Sequence, residues 1–504
     1  MTDKPSSYRR MLKTSSIIGG ASVVNVLIGL VRTKVLAVLL GPTGVGLVSL
    51  YFGLMSTAAT VATMGLGVVG TRQIAEAVAK EDAVELAVAR RAMFWGALLL
   101  AVVGALVVWT MRDVLALRVL GSAGHAGVVG WLALGVALSV AGASQGALMQ
   151  GMRRIGDMAK LSILGSVFST VLGIFLISQW GTRALWAFML VGPFVSFVLG
   201  HIYVSRLPKV SANSATVREM AFQWKMLLRL GIPYMGVGLA GTLVQLWIRV
   251  TVNAELGLSA VGHFQAAWAI SMQYIGFVLG AMGADFYPRL AGVINDKEAA
   301  ARLVNEQTEV ALLLSGPVFI AMLGLAPWVI HLLYSAAFAP AAEVLRWQIL
   351  GDVLKVASWP LGFVILAAGA GKTFFVTETS VLLLMGSLVA GLATTMGLQI
   401  TGIAFLVMYL AYLPLIYFLA RRRIDFVWTG PVKKLLASTS FLCVFVAVLS
   451  IFTNWGIVVS LLLASVSVLY SMGRLSLMGG LSGPLGKIGA IARQVTSRIG
   501  LRHD

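Results

Sequence analysis

Fourteen long apolar stretches, each near the length of a membrane span and almost free of charge, run from residues 14–38 to 456–473 and leave few ways for this chain to fold. A helix crosses the hydrocarbon with about 20 mostly apolar residues. Backbone in lipid must satisfy its own hydrogen bonds, and these runs lack the alternation of barrel strands, so helices are expected. With 59% apolar and 11% charged residues over 504 positions, the chain reads as an all-α polytopic membrane protein rather than a string of soluble domains. The first stretch is about a span long and carries Arg32 and Lys34 near its far end, which argues for a retained helix over a cleaved leader.

Lys plus Arg number 38 against 19 Asp plus Glu. If the N-terminus is cytoplasmic, 30 of these cations fall in inner segments, four (Arg112, Arg118, Arg183, Arg346) in outer ones and four within spans. That asymmetry is a topology signal and predicts both termini on the cytoplasmic side, facing an anionic leaflet. No run resembles a nucleic-acid-binding arm, so nucleic acid is not an expected partner. In the tail, Ile488, Ile491, Val495 and Ile499 recur at helical spacing among basic residues, the pattern of a surface-lying helix, with a disordered tail as the plain alternative.

A short motif recurs. Leu40-Gly41-Pro42-Thr43-Gly44-Val45-Gly46, between the first two spans, returns as Leu256-Gly257-Leu258-Ser259-Ala260-Val261-Gly262 between the seventh and eighth, an offset of 216 residues. An even number of spans separates the copies, so the two halves share one orientation. The expected organisation is two pseudo-symmetric six-helix bundles, 1–205 and 231–423, joined by a cytoplasmic linker, 206–230. Two additional transmembrane helices follow in 424–473, then a basic cytoplasmic tail, 474–504. The 55 glycines, many inside spans, read either as close helix packing or as bending points.

A charge near a span centre costs about 2.5–3.5 kcal/mol on insertion scales, so it faces protein or water and often marks a pathway. Arg32, Lys34 and Arg249 are such residues, with comparable places in the two repeats for Arg32 and Arg249. They suit a phosphate-bearing substrate in a shared cavity; snorkelling to the interface is the plain reading. Asp352 and Lys355 share one helix face, which predicts an internal ion pair or an acid that exchanges partners. Asp285 and Glu378, without a basic partner in their spans, leave proton or sodium coupling open.

Enzyme chemistry is not expected. Cys443 is the single cysteine, and the five histidines lack metal-ligand spacing. Gly369-Ala370-Gly371-Lys372-Thr373 lacks the first glycine of a phosphate loop, since Leu366 stands there. No outer segment is long enough for a catalytic domain, so no metal or organic cofactor is implied.

Three segments carry a family resemblance: Arg32 to Leu47, Asp285-Phe286-Tyr287-Pro288-Arg289-Leu290, and Trp347-Gln348-Ile349-Leu350-Gly351-Asp352-Val353-Leu354-Lys355-Val356. From about residue 8 to 423 the chain resembles bacterial Wzx-type flippases, the O-antigen and related lipid-linked oligosaccharide translocases of the multidrug/oligosaccharidyl-lipid/polysaccharide superfamily. The resemblance implies an inner-membrane protein that moves an undecaprenyl-diphosphate-linked oligosaccharide from the cytoplasmic to the periplasmic leaflet by alternating access. Lys34 matches the family's helix-one Lys, Arg249 its helix-seven Arg, and Asp352, Lys355 and Glu378 its charged positions on helices ten and eleven. Arg32, Lys34, Arg249 and Lys355 are thus the expected diphosphate-binding residues, with Asp285, Asp352 and Glu378 as coupling candidates. The implied partners are the lipid-linked oligosaccharide, membrane lipids and a polysaccharide polymerase or other envelope assembly proteins. The two extra helices exceed the commoner twelve-helix pattern and make a lipid II-type flippase the nearest rival; a cation-coupled drug or metabolite antiporter is the second.

Overall fold

The computed structural model describes residues 4–208, 217–452, 455–478 and 491–494. Among them every regular element is helical, as apolar runs that must satisfy their own backbone require. Nine described helical segments are long and apolar enough to cross a membrane, or ten if the bent pair Leu258–Gly280 and Asp285–Val293 forms one span. Three of these, Gly19–Thr63, Ile155–Ser205 and Gly371–Ile424, are 45, 51 and 54 residues long. Each has room for two crossings at about 20 residues per span, and the expected count of fourteen is not reached as separate segments among the described residues. The chain is an integral membrane protein.

Two compact units divide it, Met1–Gly262 and His263–Asp504. The first unit contains α1 (Lys4–Thr63), α2 (Leu66–Ala79), α3 (Ala83–Thr110), α4 (Arg112–Leu120), α5 (Ala126–Gly151), α6 (Ile155–Trp180), α7 (Leu185–Ser205) and α8 (Val217–Leu256). Within α1 the helix breaks at Gly41, whose φ of 62° suits glycine because it has no Cβ to clash, and Pro42 then withholds an amide from the preceding turn. Helix α8 packs into this unit. Trp224 Nε1 donates to the Ala92 carbonyl at 2.8 Å, and Leu227 joins Leu66, Val69 and Ala97 in one buried cluster. The stretch expected as linker, 206–230, therefore includes the opening turns of α8, while residues 209–216 lie outside the described ones.

The recurring motif has a structural counterpart inside this unit. Gly257, the equivalent of Gly41, also takes a positive φ, 85°. The two copies touch reciprocally: a side chain at Gly46 would overlap the Leu258 carbonyl, and one at Gly262 would overlap the Pro42 carbonyl. Position five of the match, counted from Pro42 and Leu258, thus meets position one of the other copy in both directions. Glycine is required there because backbone meets backbone.

The second unit contains most of α9 (Leu258–Val293), then α10 (Lys297–Leu333), α11 (Ala341–Ala367), α12 (Gly371–Met396), α13 (Ile400–Ile424), α14 (Gly430–Phe452) and α15 (Gly456–Leu477). Helices α11 and α13 run in near contact, Gly351 lying against the Phe405 ring and Gly402 against the Val344 carbonyl. The two additional helices are built onto α10. Gly324 faces Ser460 on α15, Gly316 faces Thr439 on α14, and Arg474 Nε pairs with Glu309 Oε1 at 2.8 Å, both side chains largely buried. Asn305 on α10 also holds the connection into α14, donating to the Val427 carbonyl at 3.1 Å and accepting from the Thr429 amide at 2.9 Å. Of the basic tail, residues 479–490 and 495–504 lie outside the described ones, so the expected surface helix has no structural account.

Candidate functional site

Asp352 is the one charged side chain among the described residues that is fully buried, with none of its surface exposed. It sits on α11 because helical spacing places Gln348, Asp352 and Lys355 on one face, and that face turns inward against α9. There, Ser271 Oγ and Tyr274 Oη donate to the same carboxylate oxygen, Oδ2, at 2.6 and 2.5 Å. The other oxygen, Oδ1, has no hydrogen-bond partner among the described residues, and neither do Oε1 and Nε2 of Gln348 one turn earlier. Buried polar atoms are nearly always paired, since leaving one bare costs about 1–3 kcal/mol, so three on one helix face mark an unusual site.

The expected Asp352–Lys355 ion pair is absent from the direct ion pairs among the described residues. Lys355 instead reaches Met272 on α9, its Nζ 3.2 Å from Sδ, and lies 5.8 Å from the Phe405 ring centroid. Rotamer direction explains the difference: the two side chains share a face, but Asp352 is drawn to the α9 hydroxyls while the longer lysine extends past them to a thioether and a ring. Glu378 on α12 accepts a hydrogen bond from Tyr412 Oη on α13. An aromatic ladder at positions 405, 409 and 412 of α13 connects these groups, with ring centroids 5.0 Å apart for Phe405–Tyr409 and 6.0 Å for Tyr409–Tyr412. Trp268 caps it, 5.6 Å from Phe405.

The second unit thus holds Asp352, Lys355, Glu378 and Asp285, but Asp285 stands apart from the buried groups. Asp285 is exposed and accepts from Arg289 Nη1 at 3.0 Å, one turn along the same helix. The expectation that it lacks a local basic partner is corrected: Arg289 stands one residue past the span end assumed at 288. Of the expected phosphate-binding cations, Arg249 on α8 is half-buried against α1, its guanidinium beside Gly53. Arg32 is exposed and Lys34 half-buried, both on α1 before the break at Gly41. Ser271, Tyr274, Gln348 and Tyr412 were not singled out from sequence. Hydroxyls and amides are common in spans; the usable signal was the Phe405, Tyr409 and Tyr412 spacing, which puts three rings on one face.

Residues 35–343 match the family described as polysaccharide biosynthesis protein. The lipid III flippases of Escherichia coli K12 and Shigella flexneri are each 24% identical over 434 residues, covering 82% of this chain and 99% of theirs. An inward-facing multidrug resistance MATE family transporter of the MOP superfamily superposes with a TM-score of 0.68 at 19% identity, covering 81% of this chain and 96% of that one. The lipid II flippase MurJ, in an inward closed conformation, has the same TM-score, 0.68, at 12% identity, but covers 97% of this chain and 100% of its own. A share that large is reached only with α14 and α15 included. These likenesses establish the MOP fold, and the relatives are flippases and transporters rather than enzymes. By a match that spans more than half its length, the chain belongs to the polysaccharide biosynthesis protein family.

Proposed function

We propose that this protein is a flippase that carries an undecaprenyl-diphosphate-linked oligosaccharide, of the O-antigen type or a related one, from the cytoplasmic to the periplasmic leaflet of the bacterial inner membrane. It does so by alternating access, with both termini cytoplasmic. The observation that carries the reading is the family match in a fold whose spans hold Arg32, Lys34 and Arg249. These cations supply the charge that a diphosphate needs while the polyprenyl anchor stays in lipid. Lys355, held by a thioether and a ring rather than a carboxylate, is the matching cation of the second unit. The lipid III flippase relatives support the substrate class.

Coupling to a proton or sodium ion belongs to the same reading. A buried acid with one oxygen bonded twice and the other bare is completed by a small cation, and the Tyr412-bound Glu378 offers a second acid in the same unit. No nucleic acid or organic cofactor enters; the partners are the lipid substrate, the surrounding lipids and a polymerase or other envelope assembly protein. The test is a deletion strain in which the lipid-linked intermediate accumulates on the cytoplasmic side and is cleared by the wild-type gene. Failure of the gene to clear it rejects the reading.

Two alternatives have an observation each. Coverage of α14 and α15 favours a lipid II-type flippase, and the nature of the accumulating lipid distinguishes it. The acids of the second unit, in a fold shared with a multidrug transporter, favour a drug or metabolite antiporter. Export of small cations from proteoliposomes without lipid movement would select that reading.

A further inference from the structure

Three glycines inside the first unit are not there for close packing. At Gly142 and Gly146 on α5 and at Gly192 on α7, a side-chain carbon would meet nothing within 4 Å. Glycine weakens a helix relative to alanine, so a position with room to spare gains nothing in stability from it. What the three create together is space. They line a cavity of about 610 Å³ bounded by α1, α5, α6 and α7, within the size range of small-molecule sites.

The lining is mostly apolar, with neutral polar groups set into it. Among the described residues around the cavity none is charged, which disfavours a phosphate or a cationic drug. Three of its hydroxyls are already used as donors: Thr60 donates to the Ser56 carbonyl at 2.9 Å, Thr63 to the Thr60 carbonyl at 3.0 Å and Ser139 to the Gly135 carbonyl at 2.7 Å. A hydroxyl that gives its proton to its own helix keeps lone pairs for a guest. Ser56 and Ser196 add two further neutral hydroxyls to the lining. Phe52, well exposed, contributes an aromatic face. Neutral acceptors beside an aromatic ring complement a neutral guest with O–H or N–H donors on one side and C–H groups on the other.

We infer that this cavity is a subsite for an uncharged glycosyl unit of the transported head group, separate from the cations that meet the diphosphate. The inference rests on the flippase reading and assigns it a sugar-recognising element in the first unit. Its test uses the purified full chain and two probes, farnesyl diphosphate and farnesyl diphosphate bearing one N-acetylhexosamine, with binding followed by native mass spectrometry. The wild type should hold the glycosylated probe more tightly. Thr60→Val, which removes one lining hydroxyl at nearly constant shape, should weaken that probe about 2- to 12-fold, the range for one hydrogen bond, and leave farnesyl diphosphate unchanged. Gly142→Val fills empty space rather than clashing, so it keeps the fold and should produce a sugar-selective loss at least as large. Equal affinity of the wild type for both probes overturns the inference, as do variants that bind the glycosylated probe normally or lose both probes alike. If the wild type binds neither probe, the flippase reading fails and the subsite with it.

Discussion

The two units treat polar groups inside the membrane in opposite ways. In the first, hydroxyls and an amide line an open cavity and carry no charge, and the half-buried charges on α1 and α8, Lys34 and Arg249, are cations. In the second, a fully buried acid, a lysine and a second acid are enclosed by rings and hydroxyls. Desolvation explains why the contrast is stable. A neutral hydroxyl can satisfy itself on its own helix and still face a cavity, whereas a carboxylate in low dielectric must be surrounded by donors or neutralised. The difference assigns separate tasks: the first unit is suited to hold a polar guest, the second to respond to a change in charge.

The sharpest break of this contrast is Asp352→Ala. It removes the acceptor that Ser271 and Tyr274 share, so stability should fall by about 1–3 kcal/mol for each hydroxyl left unsatisfied, read from thermal unfolding in detergent. Asp352→Asn keeps the shape and should leave the fold standing while ending transport; retained transport would remove charge from the second unit's task.

Next in size is the phosphate side. Arg249→Ala should weaken head-group binding by about 1.5–3 kcal/mol, the worth of one charge-assisted contact. Full translocation at normal protein levels would reject that role. The reciprocal glycine contact gives a comparable effect on stability: Gly46→Val forces a side chain into the Leu258 carbonyl and should cost about 1–3 kcal/mol, and Gly262→Val should match it if the two copies are equivalent. Unequal losses would show that one copy carries the contact. The smallest effect belongs to Asp285→Asn. An exposed pair one turn apart is worth about 0.3–0.5 kcal/mol, so unfolding and transport should both stay near wild type. A large transport loss would return Asp285 to the functional residues.

Much of the fold was legible in the chain, because apolar runs of span length admit one solution in lipid. The charged members of the second unit's cluster were legible for the same reason, since Asp352, Lys355 and Glu378 cannot sit in spans without a cause. Their partners were not. A serine, a glutamine or a tyrosine in a span is ordinary, and only packing shows that Ser271 and Tyr274 converge on one oxygen while the Gln348 amide has no partner among the described residues. Asp285 was grouped with the buried acids because an assumed helix end cut off Arg289. Glycine was the most ambiguous residue of all: Gly46 and Gly262 serve backbone contact, Gly142 and Gly192 open space, and the letters are identical.

By itself the sequence determined that the chain is helical, lies in a membrane and repeats a glycine motif, because hydrophobicity and charge act locally and accumulate along the chain. Only the tertiary structure decided that the motif copies interlock, that α8 packs with the first unit, that Asp352 faces hydroxyls rather than Lys355, and that three glycines line an open, neutral cavity. These depend on which helix faces meet. Side chains hundreds of positions apart settle that together, through close packing and the need to satisfy every buried polar atom.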